Sequence, residues 1–226
     1  MISLILTTAF KSEFSLPMVK LLLESQSLSD KKIEIIVINL SNDPKLEEPL
    51  RNLSKNIRVI SASGNLSKNQ ISNLAFSSAK HFKVCFFSDE ILFNPLSVID
   101  FMSKMTKDEG MAGLDLSNSF SSINSKNDEL KFKAIENLPD GYDKILIMNK
   151  PEYYALPEGM KNYYGLRVQH FAVTRGLKKA SGLIDGFKFL ILPEHTIHTD
   201  PSKDIETTTY QECIEKLTIK YRLNMI

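Results

Sequence analysis

Four short apolar segments alternate with helix-forming segments over the first 105 residues, and this alternation is the strongest constraint on the fold. The apolar segments are 2–7, 34–38, 57–61 and 83–87. All four are rich in β-forming residues, and the first, second and fourth are mostly apolar runs, which are typical of strands buried on both faces of a sheet. Parallel strands of this kind are joined by crossover helices. The alternation therefore predicts an α/β fold whose mainly parallel sheet is sandwiched by helices.

The rest of the chain indicates how this sheet is completed. Helices are predicted after Pro17 and over 71–81, 95–105, 165–180 and 208–223. Further strands are predicted over 110–116, 144–149 and 187–192, and an exposed loop over the serine-rich stretch 117–127. The length of 226 residues, set against about 150 for a typical domain, favours one elaborated domain over two independent ones.

The composition excludes several classes of protein. Lys and Arg number 28 and Asp and Glu number 27, so the formal charge is +1, far from that of proteins that coat nucleic acid. Cys85 and Cys213 are far apart in apolar segments, which excludes a disulfide framework and a zinc signature and is typical of a reducing compartment. No apolar run approaches the roughly 18 residues of a membrane span. We expect a cytoplasmic protein that would reach any lipid-linked substrate from outside the membrane.

Polar residues follow each of the four predicted strands. Because an α/β sheet binds ligands at the carboxyl ends of its strands, these residues are the candidates for a binding site. These segments are TTAFKSE after the first strand, NLSND after the second, SASGNLSKNQISNLA after the third, and FFSDEILFNP, with its acidic pair, at the end of the fourth.

This ordered set of motifs resembles the nucleotide-sugar domain of family 2 glycosyltransferases, which have the GT-A fold. Thr7-Thr8-Ala9-Phe10 stands where the family has Pro-Thr-Tyr-Asn, and Asn39-Leu40-Ser41 with Asp43 stands where it has an Asp-Asp-Gly-Ser turn. Gly64 followed by Ser67-Lys68-Asn69 corresponds to the family's Gly and Ala-Arg-Asn. Ser88-Asp89-Glu90 followed by Pro95 corresponds to its Asp-x-Asp element. The resemblance resumes with Tyr164-Gly165, Arg175 and the sequence LPEHTIH.

The resemblance implies a single GT-A domain over 1–226, with a nucleotide-sugar-binding half over 1–105 and an acceptor-binding half over 106–226. The implied reaction is an inverting transfer of a sugar from a nucleotide-diphosphate donor, with a UDP-type donor favoured. The implied acceptor is a glycan or a lipid-linked molecule in surface polysaccharide synthesis.

The same resemblance assigns roles to the strand-end residues. The donor-binding set would comprise Thr8, Phe10, Asn39, Asp43, Gly64, Lys68, Asn69 and Ser88. Lys68 stands for an arginine near the diphosphate, where it supplies a point charge instead of a bidentate fork. Asn39 replaces an aspartate that accepts a hydrogen bond from uracil N3–H, and an amide can do so only through its oxygen.

A divalent cation is the implied cofactor. Departure of a nucleoside diphosphate places negative charge on its β-phosphate, and Mn²⁺ or Mg²⁺ held by a carboxylate stabilises that charge. Asp89 is the predicted metal ligand, and His198 in the LPEHTIH segment is the second candidate, ahead of His195. A structural alternative for Ser88-Asp89-Glu90 is the capping of the following helix.

The catalytic base is less evident from the sequence. Inverting transfer needs a group that takes the proton of the acceptor hydroxyl. The family carries an acidic pair after Tyr-Gly, whereas this chain has no acid there, so Glu158 and His170 are the substitutes. Each has a structural alternative, as an exposed loop acid and as a histidine packed on a helix face.

Two further functions compete with an active transferase. A non-catalytic GT-A-like protein that binds a nucleotide, a glycan or a partner would also show incomplete acidic motifs. A nucleotidyltransferase would carry a glycine-rich loop after its first strand, and TTAFKSEF contains no glycine. No G-x-G-x-x-G follows any predicted strand, which excludes a dinucleotide-dependent enzyme.

Overall fold

The computed structural model describes residues 1–41, 50, 52, 56–62, 65–116, 129–157, 160, 162–191 and 207–223. In the first half, four strands alternate with three helices. They are β1 (Ile2–Thr8), α1 (Ser15–Leu28), β2 (Ile33–Asn39), β3 (Ile57–Ser61), α2 (Lys68–Ser78), β4 (Lys83–Ser88) and, after the short strand β5 (Ile91–Phe93), α3 (Pro95–Lys104). Each predicted strand of this half is confirmed, and the helices predicted after Pro17 and over 71–81 and 95–105 are present within a few residues of their predicted bounds. Most of the stretch between β2 and β3, where a helix is also expected, lies outside the described residues.

The second half contributes shorter elements that extend the sheet. They are β6 (Glu109–Gly113), β7 (Lys131–Ile135), β8 (Ile145–Asn149), α4 (Asn162–Phe171), β9 (Ala180–Asp185), β10 (Phe189–Ile191) and α5 (Thr207–Tyr221). A 3₁₀ turn over Tyr142–Lys144 precedes β8, and a π-helical turn over Ala172–Gly176 follows α4.

The strands form one eight-stranded sheet in the order β3-β2-β1-β4-β8-β6-β9-β7. The block β3-β2-β1-β4 is parallel throughout, as predicted. Beyond it, β8 runs antiparallel to both β4 and β6, β6 and β9 are parallel, and β7 closes the edge antiparallel to β9. The parallel block places the carboxyl ends of its four strands side by side along one edge of the sheet.

Helices cover both faces of the parallel block. On β1, Leu4 and Leu6 belong to the core that packs on Met18 and Val19 of α1, whereas Ile5 belongs to the core on the opposite face. Each fully buried side chain of this size contributes about 1.5–3 kcal/mol of burial free energy. The alternation fixes the register, because a shift by one residue would exchange the two faces.

The second half contains two strands that were not predicted, β7 and β9, and it departs from the predicted bounds elsewhere. The helix predicted over 165–180 ends earlier, because Lys178 has a left-handed backbone (φ 55°) and the chain enters β9 at Ala180. The strand predicted over 187–192 is only β10, which pairs with β5 in a separate two-stranded sheet. The strand predicted over 110–116 ends at Gly113, where a Cβ atom would overlap Tyr142. The predicted loop over 117–127 lies outside the described residues.

Candidate active site at the carboxyl edge of the sheet

The strand register brings three of the predicted residues to one edge. Thr8 at the end of β1 is paired with Asn39 on β2, and Thr7 is paired with Ser88 on β4. The chain passes from β1 to β2 on one side and places β4 on the other, so the junction of β1 and β4 is the switch point of the sheet. Open α/β sheets bind their ligands in the crevice at such a point.

Asp89 directly follows β4 and is held firmly at this junction. Its Oδ2 atom accepts hydrogen bonds from Thr8 Oγ1 and from Ser15 Oγ, both at 2.5 Å. Its backbone is anchored as well, since the Asp89 carbonyl accepts from Ser12 Oγ at 2.7 Å. Hydrogen bonds to an ionised carboxylate are roughly twice as strong as neutral ones. Two elements, β1 and the start of α1, therefore fix the orientation of a buried carboxylate.

The other oxygen of this carboxylate is differently placed. Among the described residues, no group donates a hydrogen bond to Asp89 Oδ1. This oxygen is also not one of the fully buried polar atoms, so it keeps some exposed surface. It is thus the oxygen that an added cation or ligand can contact.

The loop from β1 to α1 has an unusual backbone at Phe10. This residue has φ 56°, which is uncommon for a side chain of this size, and its amide donates to Thr8 Oγ1 at 2.8 Å. Backbone outliers of this kind cost about 1–3 kcal/mol and occur mainly at functional sites. The Phe10 ring packs partly against the core on the α1 face, so the ring itself has a structural role.

Two lysines line the side of the edge that faces β8. Lys144, the last residue of the 3₁₀ turn, forms an ion pair with Glu90, and their side chains are only 9% and 21% exposed. Lys68, the first residue of α2, forms a second pair with Asp143, at 42% and 35% exposed. Lys68 and Glu90 belong to motifs that the sequence singles out, whereas Lys144 and Asp143 do not, because a lysine and an aspartate near a strand start carry no motif.

A pocket opens beside these ion pairs, between α2 and α4. Its lining residues are Lys68, Asn69, Ser72, Phe86, Asp143, Leu146, Tyr153, Leu156, Gly165, Leu166 and Gln169. Asn69 donates through Nδ2 to the Met160 carbonyl at 2.8 Å, and a Cβ on Gly165 would overlap its Oδ1 atom. Asn69 and Gly165, both selected from the sequence, therefore meet in space and join α2 to α4.

The tyrosines near this pocket are mainly structural. Tyr153 stacks on Phe76 with ring centroids 4.0 Å apart, and its hydroxyl donates to Asn73 Oδ1 at 3.0 Å. Burial raises the pKa of Tyr153 well above its ordinary value. Tyr164 stacks on Tyr210 of α5. These contacts give the rings of Tyr153 and Tyr164 a role in packing.

Asn39 is buried at the end of β2. Its Oδ1 atom accepts hydrogen bonds from the Ser41 amide at 2.9 Å and from Ser41 Oγ at 2.7 Å. Its Nδ2 atom is buried and has no hydrogen-bond partner within the described part of the chain.

His170, one of the two candidates for the base, contacts a different part of the molecule. Its Nδ1 lies 3.0 Å from Ser181 Oγ, and its Nε2 lies 3.2 Å from the Glu136 carbonyl. Because a carbonyl only accepts, Nε2 carries the proton and Nδ1 accepts from Ser181. Burial lowers the pKa of His170. Both ring nitrogens are thus engaged beside β9 and the end of β7, an arrangement that favours the packing alternative.

Four predicted site residues, Asp43, Gly64, Glu158 and His198, lie outside the described residues, as does His195. Among the described residues, no group of three or more His, Cys, Asp or Glu side chains is arranged to hold a metal ion. No described helix is long and apolar enough to cross a membrane.

Comparison with solved structures identifies the fold. The chain is similar to TarS 1–349 from S. aureus (TM-score 0.53, 16% identity, 83% of this chain and 59% of that one). It is also similar to the mannosyltransferase PcManGT from Pyrobaculum calidifontis in complex with GDP-Man and Mn²⁺ (TM-score 0.61, 9% identity, 86% and 58%). A third similar structure is glucosyl-3-phosphoglycerate synthase from Mycobacterium tuberculosis in complex with phosphoglyceric acid (TM-score 0.55, 15% identity, 99% and 81%).

These similarities establish that the chain has the GT-A-type fold that the motifs implied. The chain spans less than two thirds of the first two structures, at 59% and 58% of their lengths. No protein-family model matches the sequence, and no curated protein matches it.

Proposed function

We propose that the chain is a glycosyltransferase that takes a sugar from a nucleotide-diphosphate donor and transfers it to a hydroxyl group of a glycan or lipid-linked acceptor, with inversion, in surface polysaccharide synthesis. The observation that carries this proposal is the carboxylate of Asp89, fixed by Thr8 and Ser15 at the switch point with one oxygen left available. The GT-A-type fold supports the same function, since a mannosyltransferase with GDP-Man and a glucosyl-3-phosphoglycerate synthase with UDP have this fold.

The charges along the edge suggest how a donor would lie. Lys144 and Lys68 lie on the side towards β8, each paired with an acid, and each would contact a phosphate group that displaces its carboxylate partner. On the side towards β2 and β3, the groups at the described strand ends are neutral and polar, namely Asn39, Ser41 and Ser61. A diphosphate in the crevice between β1 and β4 would therefore direct its ribose and base towards β2.

The residues at the edge fit a divalent cation held largely by the substrate. Mg²⁺ and Mn²⁺ are commonly bound by one or two carboxylates together with substrate phosphates. Asp89 would supply one oriented oxygen, and His198 stays a prediction for a second ligand. Similar structures contain Mn²⁺. When bound, such a cation neutralises the charge that develops on the departing diphosphate.

The proton of the acceptor hydroxyl must be taken by a basic group within about 3 Å of it. Glu158 keeps this role as a prediction. The described acids near the edge, Glu90 and Asp143, are each paired with a lysine, so neither is a free base in this arrangement.

Because Glu90 and Asp143 are both paired with lysines and neither is a free base, a second candidate function is a non-catalytic GT-A-like protein that binds a nucleotide or a partner. In that case the edge would bind donor nucleotides without transferring a sugar. Incubation with nucleotide sugars and quantification of released nucleotide and transferred sugar would distinguish the two functions.

Calorimetric titration with UDP, GDP and CDP, each with and without Mn²⁺, tests the donor site directly. Asp89→Asn should weaken Mn²⁺-dependent binding by roughly 100-fold, because outer-shell partners of a metal ligand alone contribute about 10- to 100-fold. Asp100→Asn is the matched control, since Asp100 is an exposed residue of α3 that pairs with Lys104 at 2.9 Å. If no nucleotide binds the wild-type protein, the proposed function is wrong.

A further inference from the structure

A cluster of exposed cations lies where the π-helical turn after α4 meets the end of α5. The two segments are in contact, because a Cβ on Gly176 in the turn would overlap the Tyr221 ring at the end of α5. Five exposed cationic residues belong to or directly follow these two segments, and we call them the basic patch: Arg175, Lys178, Lys216, Lys220 and Arg222.

The charge of the basic patch is not balanced within the described part of the chain. None of its five cations forms an ion pair there, whereas Lys68, Lys144 and Lys179 each pair with an acid. The acids Glu212 and Glu215 of α5 precede its cations in the chain. The C-terminus of a helix carries about −0.5 of a charge, so the two helix ends that meet here offset about one of the five cations.

Ile219 lies among these cations with its side chain in solvent. It is 78% exposed, the highest value among the large apolar side chains of the described residues. The packing face of α5 is formed by Cys213 and Leu217, which belong to a core shared with Val168 of α4. Ile219 does not belong to that core, and its exposure loses the free energy that burial would provide. An apolar side chain surrounded by cations is typical of segments that bind at a membrane surface.

An anionic bilayer fits this surface better than other polyanions do. Anionic headgroups attract each basic residue near the surface, and the acyl chains below them accept an apolar side chain. Nucleic acids offer phosphate charges to a basic patch but no apolar layer for Ile219. The formal charge of the whole chain is only +1, so the attraction comes from the local patch and not from a generally basic protein.

We propose that the basic patch and Ile219 bind the surface of a bilayer that contains anionic phospholipids, with Ile219 inserted just below the headgroups. This inference goes beyond the proposed function and does not depend on it. The π-helical turn leads into the start of β9, and β9 runs in the same direction as β4. The basic patch is therefore at the opposite end of the sheet from Asp89, and binding there leaves the carboxyl edge accessible.

Co-sedimentation of the full chain with lipid vesicles tests this inference. The chain should bind vesicles of equal parts phosphatidylcholine and phosphatidylglycerol far more tightly than vesicles of phosphatidylcholine alone, and added salt should weaken this binding. Lys216→Gln/Lys220→Gln should weaken binding to the mixed vesicles roughly 25-fold, because each basic residue near an anionic surface contributes about fivefold. Lys20→Gln/Lys104→Gln is the matched control, since both lysines are exposed on helices that cover the other face of the sheet.

The Ile219→Ser variant tests the apolar contribution. It should weaken binding to the mixed vesicles roughly tenfold, because the acyl chains no longer bury an apolar side chain. Leu16→Ser is the control, at an apolar residue of α1 that is 54% exposed, and it should leave binding unchanged. Both residues are exposed, so neither variant should unfold the chain.

Failure of the wild-type chain to bind the mixed vesicles would overturn the inference, as would equal binding to both kinds of vesicle. Full binding by both Ile219→Ser and Lys216→Gln/Lys220→Gln would overturn it as well. Binding of duplex DNA without binding of vesicles would overturn it in favour of a nucleic-acid partner. Each of these outcomes leaves the proposed function intact, because nucleotide binding is measured separately and without vesicles.

Discussion

Thr8 at the end of β1 donates a hydrogen bond at 2.5 Å to Asp89 at the end of β4, although the two residues are 81 positions apart in the chain. Ser15 at the start of α1 donates to the same oxygen. The carboxylate is thus oriented by two hydroxyl groups before any ligand binds. Preorganised ligands of this kind bind cations more tightly because their orientation needs no further ordering.

Thr8→Val keeps the shape of the side chain and removes this hydroxyl group. We expect Mn²⁺-dependent nucleotide binding to weaken by roughly 10-fold or more, within the range for outer-shell partners of a metal ligand. Titration calorimetry measures the effect. Thr174→Val is the control, because the Thr174 hydroxyl donates to the His170 carbonyl in the π-helical turn. Equal effects of the two substitutions would contradict the role of Thr8.

Lys144→Met should destabilise the protein because it leaves Glu90 without its partner. The Lys144 side chain is 9% exposed and that of Glu90 is 21% exposed. Breaking a buried ion pair on one side costs about 3–5 kcal/mol, and partial exposure of Glu90 places the expected loss near the lower value. Urea denaturation gives the free energy of unfolding.

The double variant Glu90→Gln/Lys144→Met removes both charges and is the matched control for this pair. It should recover a large part of the stability that Lys144→Met loses, since no unpaired charge then remains. Additive losses from the two substitutions would contradict the coupling.

Asp143→Asn and Lys68→Met should change nucleotide binding in opposite directions. The Lys68–Asp143 pair is well exposed, so its contribution to stability is at most about 1 kcal/mol. Removal of the Asp143 charge frees Lys68 for phosphate and should tighten binding, with a stronger dependence on salt. Lys68→Met should weaken binding. Lys31→Met, in the exposed pair with Asp30, is the control. Changes of the same sign would contradict a phosphate role for Lys68.

The parallel half of the fold was predictable because its signals are local. β1, β2 and β4 are continuous apolar runs, and burial on both faces leaves them no other arrangement. β9 was missed because its sequence ASGLID contains Ser181 and Gly182, and the glycine is explained only by the Phe132 ring of β7, which a Cβ at position 182 would overlap. β7 itself has largely exposed side chains, so it lacks a clear apolar pattern.

The site was predictable only where it lies at strand ends. Thr8, Asn39 and Asp89 follow apolar runs, and parallel pairing brings them together. Ser15 and Lys144 were missed because their partners, Asp89 and Glu90, are far away in the sequence. A serine at a helix start and a lysine before a strand are also common in proteins whether or not a site lies nearby. Pairing across elements is a tertiary property, which spacing within the sequence does not encode.

The unfolding free energy should fall at acidic pH in part through His170. Burial lowers the pKa of His170 in the folded protein below the ordinary value of 6.5. The unfolded chain therefore binds the proton more readily, and this contribution to stability is present above pH 6.5 and is lost as the pH falls through the folded-state pKa. Urea denaturation across this range, with His170→Gln as the comparison, measures it. An unchanged slope in the variant would contradict the prediction.

Gly165→Ala tests the contact between α2 and α4 that Asn69 and Gly165 make at the wall of the pocket. A Cβ on Gly165 would overlap Asn69 Oδ1 and lie 2.8 Å from Leu156 Cδ1. Alanine gains about 1 kcal/mol of helix propensity over glycine, whereas crowding in a packed interior costs about 1–3 kcal/mol. Displacement of the Asn69 amide would also break its hydrogen bond to the Met160 carbonyl, which is worth about 1 kcal/mol. We expect a net loss of about 1–2 kcal/mol, which combines these opposing effects.

The double variant Asn69→Ala/Gly165→Ala separates crowding from a general effect on α4. Without the Asn69 amide, the Cβ of alanine at position 165 no longer overlaps a side-chain oxygen. Gly165→Ala should therefore lower the free energy of unfolding by less in the Asn69→Ala background than in the wild type. Urea denaturation of the four proteins in this cycle gives the coupling free energy. A coupling free energy near zero would contradict the contact between Asn69 and Gly165.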